Sequence, residues 1–124
     1  MDHIPPRITA RLLHDPPTTI VAPVGEHDVA TERELSTILT VATALGEPVV
    51  LDMRRTTFAD ASILRVIISA HTEAPRRNLA VVLPPGGEVV RLFDLTDARA
   101  LLPAFASLAP AVTWCHLTLT VRDA

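Results

Sequence analysis

Two residues of this 124-residue chain have the types and spacing to carry a regulated chemistry: Asp60 and Ser62, with Ala61 between them. A short apolar run, Val49-Val50-Leu51-Asp52-Met53, precedes them, and a helical pattern from Ile63 through Ala74 follows. An Asp at such a junction suits the N-cap, because the first helical turn leaves backbone N–H groups unpaired. Ser62 then falls in that first turn, where the helix dipole favours negative charge. A phosphate on the Ser62 hydroxyl would be partly tolerated there and would add about −1.5 to −2 charge beside Asp60. The fold would survive while a docking surface changed sign. Asp and Ser are also ordinary helix-start residues, and pattern alone favours that plainer role.

Other chemistries find no comparable support. His3, His14, His27, His71 and His116 are scattered and never stand beside Cys or Glu at metal-ligand spacing, so no metal site is expected. Gly86-Gly87 is not followed by the Lys-Ser/Thr of a phosphate-binding loop. Ser62 lacks the flanking glycines of a nucleophile elbow. Cys115 lies in a hydrophobic tail and reads as a buried, inert thiol. His71 falls on the apolar side of its helix and reads as a packed side chain. Arg54-Arg55 and Arg76-Arg77 mark element ends and read as solvated. No catalytic site assembles and no cofactor is implied, so a binding protein is expected rather than an enzyme.

The bulk composition agrees with a regulatory domain. At 124 residues, 48% hydrophobic and 20% charged, the chain suits one globular domain with a real core. Its net charge of −3 gives no general attraction to nucleic acid or to an anionic membrane. One cysteine excludes an internal disulfide framework and suits a reducing compartment. The first residues have neither a basic start nor a long apolar run, so no signal peptide is expected. No stretch reaches the roughly 18 apolar residues of a membrane span. The absence of Tyr and the single Trp leave few aromatics for base stacking. A cytoplasmic domain is the expectation.

The elements that must position Asp60 and Ser62 can be read in order. Residues 1–6 form a loose arm. Ile8 to Leu12 and Thr19 to Val24 make two strands broken by His14-Asp15-Pro16-Pro17, which suggests an antiparallel hairpin. Thr31-Glu32-Arg33-Glu34 matches a capping box. Leu35, Ile38, Leu39, Ala42 and Leu45 then form one helical stripe, ended by Gly46 and Pro48. Val49 to Met53 and Leu79 to Leu83 read as buried strands either side of the Ile63–Ala74 helix, which Pro75 closes. Such a βαβ unit makes the two strands parallel. Val89, Leu92 and Phe93 place a third helix on residues 88–95. Leu101 to Phe105 suggests a short strand and Ala106 to Ala111 a short fourth helix. The tail from Trp114 to Val121 alternates like a half-buried strand. The sum is a single α/β domain with a mixed four- to five-stranded sheet and three to four helices, its core about residues 8–112, with 113–124 as a C-terminal extension.

From Thr19 to about Ala109 the chain resembles a STAS domain, the family of anti-sigma factor antagonists and related sulphate-transporter modules. Gly25-Glu26-His27-Asp28 with Thr31 to Leu35 resembles the family's G-x-x-D loop and first helix. Val49 to Met53 resembles its V-x-L-D-L strand. Thr57-Phe58-Ala59-Asp60-Ala61-Ser62 resembles its T-F-I-D-S-S segment, whose second Ser is the phosphoacceptor. Val89 to Thr96 resembles its third-helix segment. The resemblance implies a STAS-like (SpoIIAA-like) fold and an antagonist that binds an anti-sigma factor with serine kinase activity, thereby freeing a sigma factor. It implies phosphorylation of Ser62 as the switch and a phosphatase that resets it. Asp28, Asp60, Ser62, Ile63, Leu64 and Arg65 would contribute to the partner-binding surface or the core beneath it. The alternative reading is a non-phosphorylated STAS scaffold or a subunit of a larger signalling or transport complex. Self-association as a homodimer is left open. The chain departs from the family pattern at Ala61, which stands for the first Ser, and at Ile63 and Arg65, which stand for glycines. A bulky Ile63 would crowd the acceptor; Arg65 would pair with a phosphate or steer a different partner.

Overall fold

The computed structural model describes residues 5–74 and 78–123, with side chains as far as Leu117. Strands β1 (Arg7–His14) and β2 (Pro17–His27) form the expected antiparallel hairpin, with Arg7 opposite Val24 and His14 opposite Pro17. Helix α1 (Glu32–Ala44) follows, then β3 (Val49–Asp52), β4 (Thr56–Ala59) and α2 (Ala61–Glu73). Strand β5 (Leu79–Val82), α3 (Glu88–Leu95), a 3-10 turn over Ala98–Ala100, β6 (Ala104–Phe105) and α4 (Leu108–Asp123) complete the chain. The sheet has six strands in the order β1-β2-β3-β5-β6, with β4 attached to β2. Strands β3 and β5 run parallel, as a βαβ unit requires, with Leu51 opposite Val81.

Alternation along these strands sends side chains to two cores. Val21, Val49, Leu51 and Val81 face the helical layer, where Leu39 of α1, Ile67 of α2 and Phe93 of α3 are fully buried. Ile20, Val50, Ala80 and Val82 face the other way and meet Ala111 and Cys115 of α4. Continuous apolar runs such as Val49-Val50-Leu51 follow from this, since both faces of the strand are covered.

Three features differ from the sequence reading. Strand β4 was not anticipated. Its four residues, Thr56-Thr57-Phe58-Ala59, are held because β2 is long enough to pair β3 through Thr19–Val21 and then β4 through Gly25–His27. The tail is helical rather than extended: α4 runs on from Leu108, and Leu108, Ala111, Val112 and Cys115 recur at helical spacing on the second core. The Leu101–Phe105 strand shrinks to the two residues of β6, preceded by the 3-10 turn. The expectations for the arm before Pro5, and for Pro75, Arg76 and Arg77, lie outside the described residues. Among the described residues, no helix is long and apolar enough to cross a membrane.

Cys115 is fully buried, with its Sγ 3.5 Å from the Asn78 carbonyl oxygen. The lone tryptophan, Trp114, packs beside it against Phe105, with ring centroids 6.2 Å apart. Burial pushes the Cys115 thiol up to about 12, against a smaller lowering from the Ala80 backbone. The thiolate is therefore scarce at neutral pH, and the sulfur is shielded. The native protein should resist a thiol-reactive dye at pH 8 and label only as urea unfolds it. Fast labelling without denaturant would contradict a closed second core.

Candidate functional site

The site is built where β2 and β4 end side by side. Their parallel register sets Glu26 opposite Phe58 and His27 opposite Ala59, so the next residues, Asp28 and Asp60, emerge at the same sheet end. Gly25 makes this possible. It has φ 91° where the β2–β4 register shifts, a conformation that side chains disfavour. Its N–H donates to the Arg55 carbonyl at 3.0 Å, and the Thr56 hydroxyl donates to the Pro23 carbonyl at 2.7 Å.

Asp60 is the N-cap of α2, with extended backbone angles (φ −101°, ψ −177°). One carboxylate oxygen, Oδ1, accepts the Ser62 N–H at 3.0 Å, the Ile63 N–H at 3.2 Å and the Ser62 Oγ–H at 2.6 Å. Its backbone carbonyl accepts the Leu64 N–H at 3.2 Å. Partial desolvation raises the Asp60 pKa, but these hydrogen bonds, led by the Ser62 hydroxyl, and the charge of Arg65 hold it below its ordinary value. Ser62 itself is only 8% exposed. The unpaired first-turn donors expected from sequence are thus already engaged at Ser62 and Ile63.

Of the residues singled out in the sequence, Asp28, Asp60 and Ser62 share this sheet end, and Arg65 is exposed one turn along α2. Ile63 and Leu64 do not present a surface: they are 0% and 5% exposed and belong to the main core. The reason is helical geometry, which turns each next side chain about 100° from Ser62. It also removes Ile63 as an obstacle beside the hydroxyl.

The loop that carries Asp28 rests on a histidine to which the sequence reading gave no role. His27 is fully buried. Its Nε2–H donates to the Val24 carbonyl at 3.0 Å, and in the neutral ring Nδ1 accepts the Thr31 hydroxyl at 2.9 Å. Thr31 is the N-cap of α1, as expected, but its side chain makes no capping bond. The capping box therefore does not form; its hydroxyl is spent on His27, with the Asp28 carbonyl 3.3 Å away. Asp28 Oδ1 accepts the Ala30 N–H at 2.9 Å and closes the loop. A polar ring beside a Thr four residues on was the available signal. Arg54 is exposed, as read from the sequence, and also forks onto Asp52 at 2.8 and 2.9 Å. His71 is half-buried and its Nδ1–H donates to the Leu79 carbonyl at 3.1 Å. Among the described residues, no cluster of His, Cys, Asp and Glu could hold a metal.

A surface cleft of about 430 Å³ adjoins this turn, lined by Val29, Glu32, Arg33, Ser36 and Val66. Val29 is 71% exposed and Phe58 38% exposed, so apolar surface flanks the polar turn. The STAS domain family model matches residues 9–111. The chain belongs to the STAS domain family. No match to a curated protein sequence was found. Among solved structures, this STAS domain is similar to an anti-sigma factor antagonist from Mycobacterium paratuberculosis, with 21% identity and a TM-score of 0.78. That match covers 89% of this chain and 95% of the other. Unphosphorylated SpoIIAA, an anti-sigma factor antagonist, gives 12% identity and a TM-score of 0.62, covering 95% and 100%. Phosphorylated SpoIIAA, a Bacillus cell fate determinant, gives 13% and 0.58, covering 82% and 93%. At these identities the likeness establishes the SpoIIAA-like fold.

Asp60→Ala removes the side-chain acceptor from α2 and should cost about 1 kcal/mol at pH 7, whereas Asp60→Asn should cost less. Because the folded pKa lies below the ordinary 3.8, the ionised-Asp60 contribution is present above that value. It is lost as pH falls through the lower folded value. The gap between urea melts of wild type and Asp60→Ala, followed from pH 7 to pH 3, should therefore narrow only at the acid end.

Proposed function

We propose that this STAS domain is an anti-sigma factor antagonist, a cytoplasmic binding protein rather than an enzyme. It docks on an anti-sigma factor with serine kinase activity, frees a sigma factor, and is switched off by phosphorylation of Ser62 and restored by a phosphatase. The observation that carries the reading is the Asp60–Ser62 contact of 2.6 Å in the first turn of α2, at the position where the family places its phosphoacceptor. The docking surface would combine Asp28, Asp60, Ser62 and Arg65 with exposed Val29 and Phe58, while Ile63 and Leu64 hold the turn from below. Family membership and the solved anti-sigma factor antagonists of the same fold support this reading.

The switch has a physical basis. A phosphoryl group on Ser62 removes the donor that Asp60 now accepts and sets about −1.5 to −2 charge beside that carboxylate. A partner fitted to the neutral hydroxyl would then meet like-charge repulsion and an unpaired group, each costly when desolvated.

A second reading, a non-phosphorylated scaffold or a subunit of a larger signalling or transport complex, draws on the 8% exposure of Ser62. A hydroxyl so covered must turn outward before a kinase can reach it.

Incubation with the cognate anti-sigma kinase and ATP should place one phosphate on wild type and none on Ser62→Ala. Ser62→Asp should weaken kinase binding about a hundredfold, near 3 kcal/mol by calorimetry. No phosphate on wild type, together with full binding by Ser62→Asp, would favour the scaffold.

A further inference from the structure

We propose that Arg65 receives the phosphate on Ser62, taking over from Asp60 as the partner of that side chain. The inference rests on Ser62 as the modified residue and concerns how the modified state is held.

The existing bonds leave a phosphate little else nearby. Phosphorylation exchanges the Oγ–H hydrogen for a phosphoryl group, so the 2.6 Å bond to Asp60 Oδ1 is lost and two anions face each other. The Ser62 and Ile63 N–H groups already donate to Asp60 Oδ1, and the Leu64 N–H donates to the Asp60 carbonyl. The phosphate cannot collect these donors without displacing the cap.

Arg65 is placed to answer this. Within Ala61–Ile68 it is the sole charged residue. Residues three apart on a helix have Cβ atoms roughly 5–6 Å apart, and helical side chains lean toward the N-terminus. Arg65 is therefore within reach of Ser62, and its charge already acts on Asp60. It is exposed, so it can swing without repacking the core. A guanidinium also grips phosphate oxygens in a fork that lysine lacks. Other charged groups on the elements around the turn include Asp28 on the β2–α1 loop, Glu32 and Arg33 of α1, the latter two lining the adjoining cleft, and Glu88, Arg91 and Asp94 of α3, which packs on β4. Arg54 is committed to Asp52. Arg33 is the rival cation. Once Arg65 is bound to phosphate, its charge is withdrawn from an incoming partner, so one modification alters two docking groups.

The test uses full-length protein carrying phosphoserine installed at position 62 during translation, with no kinase needed. The pH dependence of its ³¹P signal should show a phosphate that holds its second proton roughly two- to fourfold less tightly than in Arg65→Ala. Arg65→Lys should recover part of the difference, and Arg33→Ala should match wild type. A urea-unfolded sample gives the reference value. Coincident curves for wild type and Arg65→Ala would overturn the assignment to Arg65, as would an Arg33→Ala shift as large as that of Arg65→Ala. Failure of a kinase to modify Ser62 would instead defeat the regulatory reading and leave this titration unchanged.

Discussion

The structure depends on one strand being shared. β2 pairs β3 along its first half and β4 along its second, and the register shift at Gly25 joins the two halves. Without it β4 would have no sheet partner, and Asp60 would start α2 from an unsupported loop. The Thr56 hydroxyl on the Pro23 carbonyl fastens the start of β4 to the same strand. The β2–α1 and β4–α2 junctions thus emerge together because one backbone holds both. That arrangement sets apart the end of the domain where chemistry can occur from the covered faces that stabilise it.

At that end the polar groups form two small closed systems. Asp60 Oδ1 collects three donors from two successive residues, and His27 ties Val24 to Thr31 from within the core. The first fixes the hydroxyl that a modifying enzyme would need. The second fixes the loop that faces it. Both are built from local contacts within four residues, whereas the apolar packing beneath them is long-range. The polar bonds at this end can therefore change while Ile63 and Ile67 remain packed against the sheet.

Much of this was legible from side-chain periodicity. The stripe Leu35–Leu39–Ala42, the apolar runs at Val49 and Leu79, and the third helix over 88–95 all lie where the pattern puts them, because each element buries one face in a shared core. The Asp60 cap was legible too, since a carboxylate at a strand-to-helix junction has few other uses. Strand β4 was not: four residues after two arginines carry little periodic signal, and their partner lies 31 residues upstream at Gly25. The tail misled because Leu117, Leu119 and Val121 alternate, while the spacing that matters, Ala111 to Cys115, is one helical turn. Thr31 showed the right residue type in the right place, but its hydroxyl was claimed by His27 four residues earlier, whose burial the local pattern did not show.

The two cores also divide the molecule for an observer. Trp114 is the chain's sole tryptophan, and it sits on the α4 side against Phe105. The Asp60 turn joins β4 to α2, whose buried Ala59, Ile63, Leu64 and Ile67 belong to the other core. Intrinsic fluorescence is therefore a built-in gauge of whether α4 remains seated on the sheet. It should stay quiet during changes confined to the Asp60 turn, so events there call for a reporter placed at that end.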